Sequence, residues 1–169
     1  IGANIGAFSL AAQHHFPGAR LYAYEPSERN FSVLKKNIPK AHAECVAIAG
    51  HSGQVHIQKK GAWTSFHLVA DVTVEEGIPA KALSLDQVTQ ALPKIDLLKI
   101  DVEGAEYEIL SGASTNTLNK IQNIIVEVQH PEKNAWYEEL FSQNQMEYTW
   151  LDSANIIIAR RLHTVGATA

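Results

Sequence analysis

Apolar residues recur along the chain in two rhythms, and each rhythm predicts an element. Ile5, Phe8, Ala11, Ala12 and Phe16 fall at helical spacing, and Pro17-Gly18 ends that run. "RLYAYEP" reads as a short buried strand that stops at Glu25-Pro26. "SERNFSVLKKNI" predicts a helix capped by Ser27, with Phe31, Leu34 and Ile38 on one stripe. "AECVAIAG" predicts a third strand. "GQVHIQKK" alternates like a surface strand, with Val55 and Ile57 on one face. Residues 61–81 carry a weak pattern, read as a loop with a short strand near "DVTVEEG". Beyond them, "LSLDQVTQAL" predicts a short helix and "KIDLLKIDV" an apolar strand. "GAEYEILSGA" opens a helix that leads into a polar turn. "IQNIIVEVQH" is another buried strand, "EKNAWYEELFSQN" a helix, and "MEYTWLD" and "NIIIARR" a closing pair of strands joined by an "SA" turn.

This alternation of strands and helices predicts one α/β domain over residues 1–169, built on a doubly wound, mostly parallel sheet. The last two strands are joined too tightly for a parallel crossover, so one of them must run antiparallel near the C-terminus. In such folds ligands bind at the carboxyl ends of the strands, so each strand end is a candidate site. Composition narrows the partners. With 46% hydrophobic residues the chain can bury a sizeable core, and its formal net charge of -4 gives no sign of a nucleic-acid binder. No apolar run reaches the ~18 residues of a membrane span. Cys45 is the one cysteine, which excludes an internal disulfide and fits a reducing, cytoplasmic setting; it lies in a strand-like run and reads as a buried, inert thiol.

Three stretches carry candidate chemistry. Gly2-Ala3-Asn4-Ile5-Gly6 matches a dinucleotide-binding glycine fingerprint poorly, because Asn4 and Ala7 stand where glycines belong. Glycines at 2 and 6 with Asn4 between them fit a turn that brings backbone close to a nucleoside and an amino-acid tail. Asn4 tolerates left-handed backbone angles almost as glycine does. Glu25 ends the next strand, about twenty residues on, where an acid can accept both hydroxyls of a ribose. In "LLKIDVEGAE", Lys99, Asp101 and Glu103 share one face if the strand stays extended, with both acids at its carboxyl end. Lys99 can instead simply pair with Asp101. Glu106 and Glu108 read as solvent-facing or helix-dipole residues. His130 ends a strand near the same place and is a reasonable general base for a hydroxyl, or a structural histidine before Pro131. Trp63, Ser65 and His67 are candidates for substrate contact. Asp101, Glu103, Glu127 and His130 offer oxygen and nitrogen metal-ligand atoms, yet no metal is expected.

"GANIGAFS", "YAYEPS", "LLKIDVEGAEYEIL" and "IIVEVQH" occur in this order and at a spacing that resembles the FkbM-type family of S-adenosylmethionine-dependent methyltransferases. The resemblance covers roughly residues 1 to 130, and "KIDVEGAE" is its most specific block. It implies a Rossmann-like methyltransferase fold, S-adenosylmethionine as cofactor, and methylation of a hydroxyl on a small molecule, sugar or polyketide. Position by position it implies that Gly2, Ala3, Asn4 and Gly6 form the cofactor turn. Glu25 is then the ribose acid with Pro26 in the same loop, and Ala47 and Ile48 lie against adenine. Asp101, with Glu103, sits beside the transferring methyl, and Asp101, Glu103 or His130 orients or deprotonates the acceptor. Where many relatives carry an Asp, at about Gly50, this chain has none. In that pattern most of a first strand would precede Ile1. The competing readings are a nicotinamide-dependent oxidoreductase on a similar sheet and a non-catalytic interaction domain.

Overall fold

The computed structural model describes residues 1–60, 65–69, 78–151 and 155–162, with side chains omitted for 58–60 and 65–69. The order of elements is α1 (Ala7–His15), β1 (Tyr22–Tyr24), α2 (Glu28–Asn37), β2 (His42–Glu44), β3 (Ala47–Ala49), β4 (Gly53–Lys60), β5 (Ser65–Val69), β6 (Ile78–Ser84), α3 (Leu85–Thr89), β7 (Leu98–Ile100), α4 (Glu106–Ser111), α5 (Thr115–Lys120), β8 (Asn123–Glu127), α6 (Asn134–Gln143), β9 (Met146–Leu151) and β10 (Ile156–Arg161). No described helix is long and apolar enough to cross a membrane.

The strands form three hydrogen-bonded sheets rather than one mostly parallel sheet. β1 pairs with β2 in parallel. The second sheet runs β7-β8-β10-β9, with β7 and β8 parallel and the closing pair antiparallel, as its tight connection requires. The third runs β3-β6-β4-β5, parallel only between β3 and β6. Two features produce this departure. The run "AECVAIAG" breaks after Glu44, so its two halves, β2 and β3, join different sheets. β4 then pairs antiparallel on both of its edges, with β5 on one side and β6 on the other. The expected strand at "DVTVEEG" and the "SA" turn lie outside the described residues.

The first two sheets are tied together by the first three residues. The Ile1 nitrogen donates to the Lys99 carbonyl at 2.8 Å, the Asp101 N–H donates to the Ile1 carbonyl at 3.3 Å, and the Ala3 N–H donates to the Tyr24 carbonyl at 3.0 Å. The segment Ile1–Ala3 therefore bonds to β7 and the residue after it on one side and to β1 on the other.

The main core lies on one face of the β7-β8-β10-β9 sheet. Ile100, Ile124, Val126, Ile157 and Ala159 alternate onto that face and meet Ile109 and Leu110 of α4 and Tyr137 and Phe141 of α6. Each large side chain so buried contributes about 1.5–3 kcal/mol. Leu34 of α2 and Ile38 at its C-cap pack on Ala23 of β1, as their stripe predicts, and Val55 and Ile57 of β4 are both buried. Ser27 caps α2 through the Asn30 N–H. α1 departs from its pattern: no residue in it is buried, and Ile5, Phe8 and Phe16 are exposed because no described element covers that face. The stretch read as a polar turn after α4 is helix α5. Ser114 caps it, and Asp86 Oδ1 holds Ser114 through both its N–H and its hydroxyl.

Gly2 sits at φ 69°, and a Cβ there would overlap the Asp101 carbonyl. Gly2→Ala is therefore expected to destabilise the protein by about 2 kcal/mol or more in urea denaturation, through left-handed strain and steric overlap. Gly18→Ala, with nothing near its would-be Cβ, is the control and should leave the midpoint unchanged.

Candidate active site

One open cleft, about 670 Å³ including the solvent it opens to, gathers the carboxyl ends of β1 and β7 and the first residues of β3. Gly2, Asn4, Tyr24, Glu25, Pro26, Asn30, Ala47, Ile48, Asp101, Val102 and Glu103 line it. Of the residues singled out in the sequence for cofactor binding, Gly2, Asn4, Glu25, Pro26, Ala47, Ile48 and Asp101 come together here. Ala3 and Gly6 belong to the same turn but face elsewhere. Ala3 packs with the α2 cluster, and Gly6 is buried at φ 92° against Leu34.

Glu25 organises the first wall. Its side chain is 4% exposed at the end of β1. Oε2 accepts from the Asn4 N–H at 2.8 Å, and Oε1 accepts from the Ser27 N–H at 3.0 Å and from Asn30 Nδ2 at 3.5 Å. Asn4 takes φ 50°, the left-handed angle its side chain tolerates, and presents its N–H to the acid. The carboxylate thus joins the glycine turn to the start of α2. Burial pushes the Glu25 carboxyl above its ordinary range, and the bonds from Ser27, Asn4 and Asn30 act against that rise. Burial likewise pushes the neighbouring Tyr24 hydroxyl up to about 12.

The second wall is the turn after β7. The strand ends at Ile100, so Lys99, Asp101 and Glu103 do not continue as one extended face. Glu103 instead adopts φ 61° and Gly104 φ 120°. Lys99 does pair with Asp101, and its ammonium also lies 5.5 Å from the Phe8 ring centroid. Glu106 stands in the first turn of α4, as the helix-dipole reading has it, but it does not face solvent: it is 1% exposed, and Oε1 accepts from the Gly104 N–H at 2.9 Å and the Val102 N–H at 3.3 Å. Burial raises its carboxyl, the N–H groups of Gly104, Glu106 and Val102 lower it, and the Asp101 charge raises it further. Glu108, by contrast, is exposed as expected. Glu127, at the end of β8, is also raised, by burial and then by the Asp101 charge.

His130 does not line the cleft. It is exposed beyond β8, and its Nδ1 lies 3.1 Å from Glu132 Oε1. Trp63 lies outside the described residues, as do the side chains of Ser65 and His67. Cys45 is half-buried, with its thiol 3.7 Å from the Pro26 carbonyl, and burial pushes the thiol up. Among the described residues no group of three or more His, Cys, Asp or Glu side chains is placed to hold a metal ion. Tyr24, Asn30 and Val102 are lining residues that sequence reading missed. Asn30 carried a signal, since it is the third residue after the Ser27 cap, where the helix start turns back toward Glu25.

The model of the methyltransferase FkbM domain matches residues 1–155. The chain belongs to the FkbM methyltransferase family. Methyltransferase sdnD of Sordaria araneosa is 26% identical over 77% of this chain and 65% of its own length. Hexuronic acid methyltransferase AglP of Haloferax volcanii is 28% identical over 76% of the chain and 54% of its own length. Methyltransferase 1 of Beauveria bassiana is 30% identical over 75% of the chain and 62% of its own length. The chain thus spans less than two thirds of these relatives. No solved structure is significantly similar to it.

The residues present fit an adenosyl cofactor of this family. The Cβ-free Gly2 keeps backbone at the cleft wall, and Glu25 Oε2 retains a lone pair beyond the one that Asn4 occupies, whereas Oε1 already accepts from both Ser27 and Asn30. Because the folded Glu25 carboxyl is raised, its contribution to stability is fully present below the unfolded value of 4.5 and is lost as pH rises through the folded value. Urea titrations between pH 4 and 8 should therefore show the wild type losing stability relative to Glu25→Gln as pH rises. A difference that stays flat or moves the other way would refute this.

Proposed function

We propose that this chain is the cofactor-binding and catalytic domain of an S-adenosylmethionine-dependent methyltransferase that methylates an oxygen of a small, hydroxylated acceptor. The supporting observation is the charge of the cleft. Glu25, Asp101 and Glu103 line it, and among the described residues no Lys, Arg or His does. Such a lining favours a cationic ligand and repels a pyrophosphate, which counts against the nicotinamide reading. On this reading the fold is the Rossmann-like methyltransferase fold, in which β1 and β7 flank the segment Ile1–Ala3 within a single layer.

S-adenosylmethionine, when bound, supplies an electrophilic methyl group on a sulfonium. Gly2 and Asn4 hold its amino-acid portion through backbone, Glu25 accepts from its ribose hydroxyls, and Ala47 and Ile48 supply an apolar wall for adenine. Asp101 and Glu103 would orient the acceptor hydroxyl, and one of the two would take up its proton as the C–O bond forms and the methyl carbon–sulfur bond breaks, leaving the neutral thioether. His130, exposed and paired with Glu132, is a weaker candidate for that proton. The hexuronic acid relative favours an oxygen acceptor, because the reactive atoms of such a sugar acid are hydroxyl and carboxyl oxygens. The lone Cys45 suits a reducing, cytoplasmic setting.

Calorimetry on the full-length protein should show S-adenosylhomocysteine binding, weakened about tenfold or more, about 1.4 kcal/mol, by Glu25→Ala. Labelled cofactor offered with a panel of sugar acids and other polyols should then transfer methyl to oxygen. Absence of cofactor binding by the wild type, or equal binding by the Glu25 variant, would overturn the proposal.

A further inference from the structure

Glu106 carries no role in the function proposed above, yet it is among the most buried polar side chains of the molecule. Its position explains the backbone beside it. A non-glycine, non-Asn residue at positive φ is strained, so the φ 61° of Glu103 must be held from outside. The N–H groups on either side of Glu103, those of Val102 and Gly104, converge on the single oxygen Oε1 of Glu106. Successive N–H groups around a left-handed residue make an anion-binding concavity, and here a side chain of the same chain fills it. The supporting acid stands at the first position of α4, whose N-cap residue, Ala105, makes no side-chain cap. Both neighbours of this clamp, Asp101 and Glu103, line the cleft.

We infer that Glu106 is a positioning residue: its carboxylate holds the Val102–Gly104 turn in the left-handed form that sets Asp101 and Glu103 in the cleft wall. The clamp needs an acceptor oxygen rather than a charge. Glu106→Gln keeps that oxygen, Glu106→Ala removes it, and Glu108→Ala removes a neighbouring acid of the same helix turn without touching the clamp.

Two measurements separate this role from general stability. Amide hydrogen exchange should rise about tenfold or more at Val102 and Gly104 in Glu106→Ala, while the β8 and β10 amides keep their protection. Because the Asp101 carbonyl carried by this turn packs against Gly2 of the cofactor turn, the S-adenosylhomocysteine dissociation constant, measured below the melting range, should rise about tenfold in the same variant. Glu106→Gln and Glu108→Ala should match the wild type in both. Should Glu106→Ala not fold, Glu106→Asp, one methylene short of the turn, carries the same expectation. Unchanged exchange at Val102 and Gly104 would overturn the clamp, and released amides with unchanged affinity would overturn its bearing on the cleft. The affinity arm rests on the cofactor reading; if the wild type binds no S-adenosylhomocysteine, that reading fails, and the exchange arm still decides the clamp.

Discussion

Backbone passes backbone at Gly2 with no room for a methyl group, and the geometry of the cleft follows from that approach. Only with Gly2 against the Asp101 carbonyl can Ile1 bond to both Lys99 and Asp101 while Ala3 bonds to Tyr24. These bonds fix the spacing between the ends of β1 and β7. That spacing sets Glu25 on one wall and Asp101 on the other. A side chain at position 2 would push the walls apart, and the loss would reach further than one steric contact.

The two walls are built on one device. Each has a left-handed, non-glycine residue, Asn4 or Glu103, and each has a buried carboxylate that accepts backbone N–H bonds at that turn. A buried carboxylate is costly unless its oxygens are bonded, and a left-handed turn is costly unless its N–H groups are held. Each cost is offset by the other. The price shows in titration, since both Glu25 and Glu106 are raised.

Sequence rhythm was enough for most elements because their periodicity reflects real burial. The alternation of Ile124, Val126, Ile157 and Ala159 and the stripe of Leu34 and Ile38 sit where the pattern puts them. It failed where burial did not follow the pattern. α1 has a helical stripe that no described element covers, and α5 is a helix made mostly of polar residues and held by caps rather than by a stripe. Strands β5 and β6 fall in the stretch whose pattern was weakest. The cleft was legible because Gly2, Asn4 and Glu25 are residue types with narrow backbone or charge roles. The burial of Glu106 was not legible, because an acid in a first helical turn already has an adequate explanation in the helix dipole. Nothing in one sequence distinguishes an acid that turns outward from one that folds back onto the preceding turn.

The acid-lined cleft bears on turnover under the proposed function. The cofactor enters with a sulfonium charge, and its demethylated product leaves without it. A lining of Glu25, Asp101 and Glu103, tempered by the Lys99 ammonium on Asp101, attracts the first more than the second. The same carboxylates stabilise less as positive charge spreads off the sulfur, so charge alone assists binding and product exchange more than the chemical step. The rate must then come from alignment of acceptor and methyl, and alignment depends on the turn that carries Asp101 and Glu103. A rigid, hydrogen-bonded wall is therefore of more use at this site than a strongly basic group, which accounts for a cleft built from held backbone and with no histidine among its described lining residues.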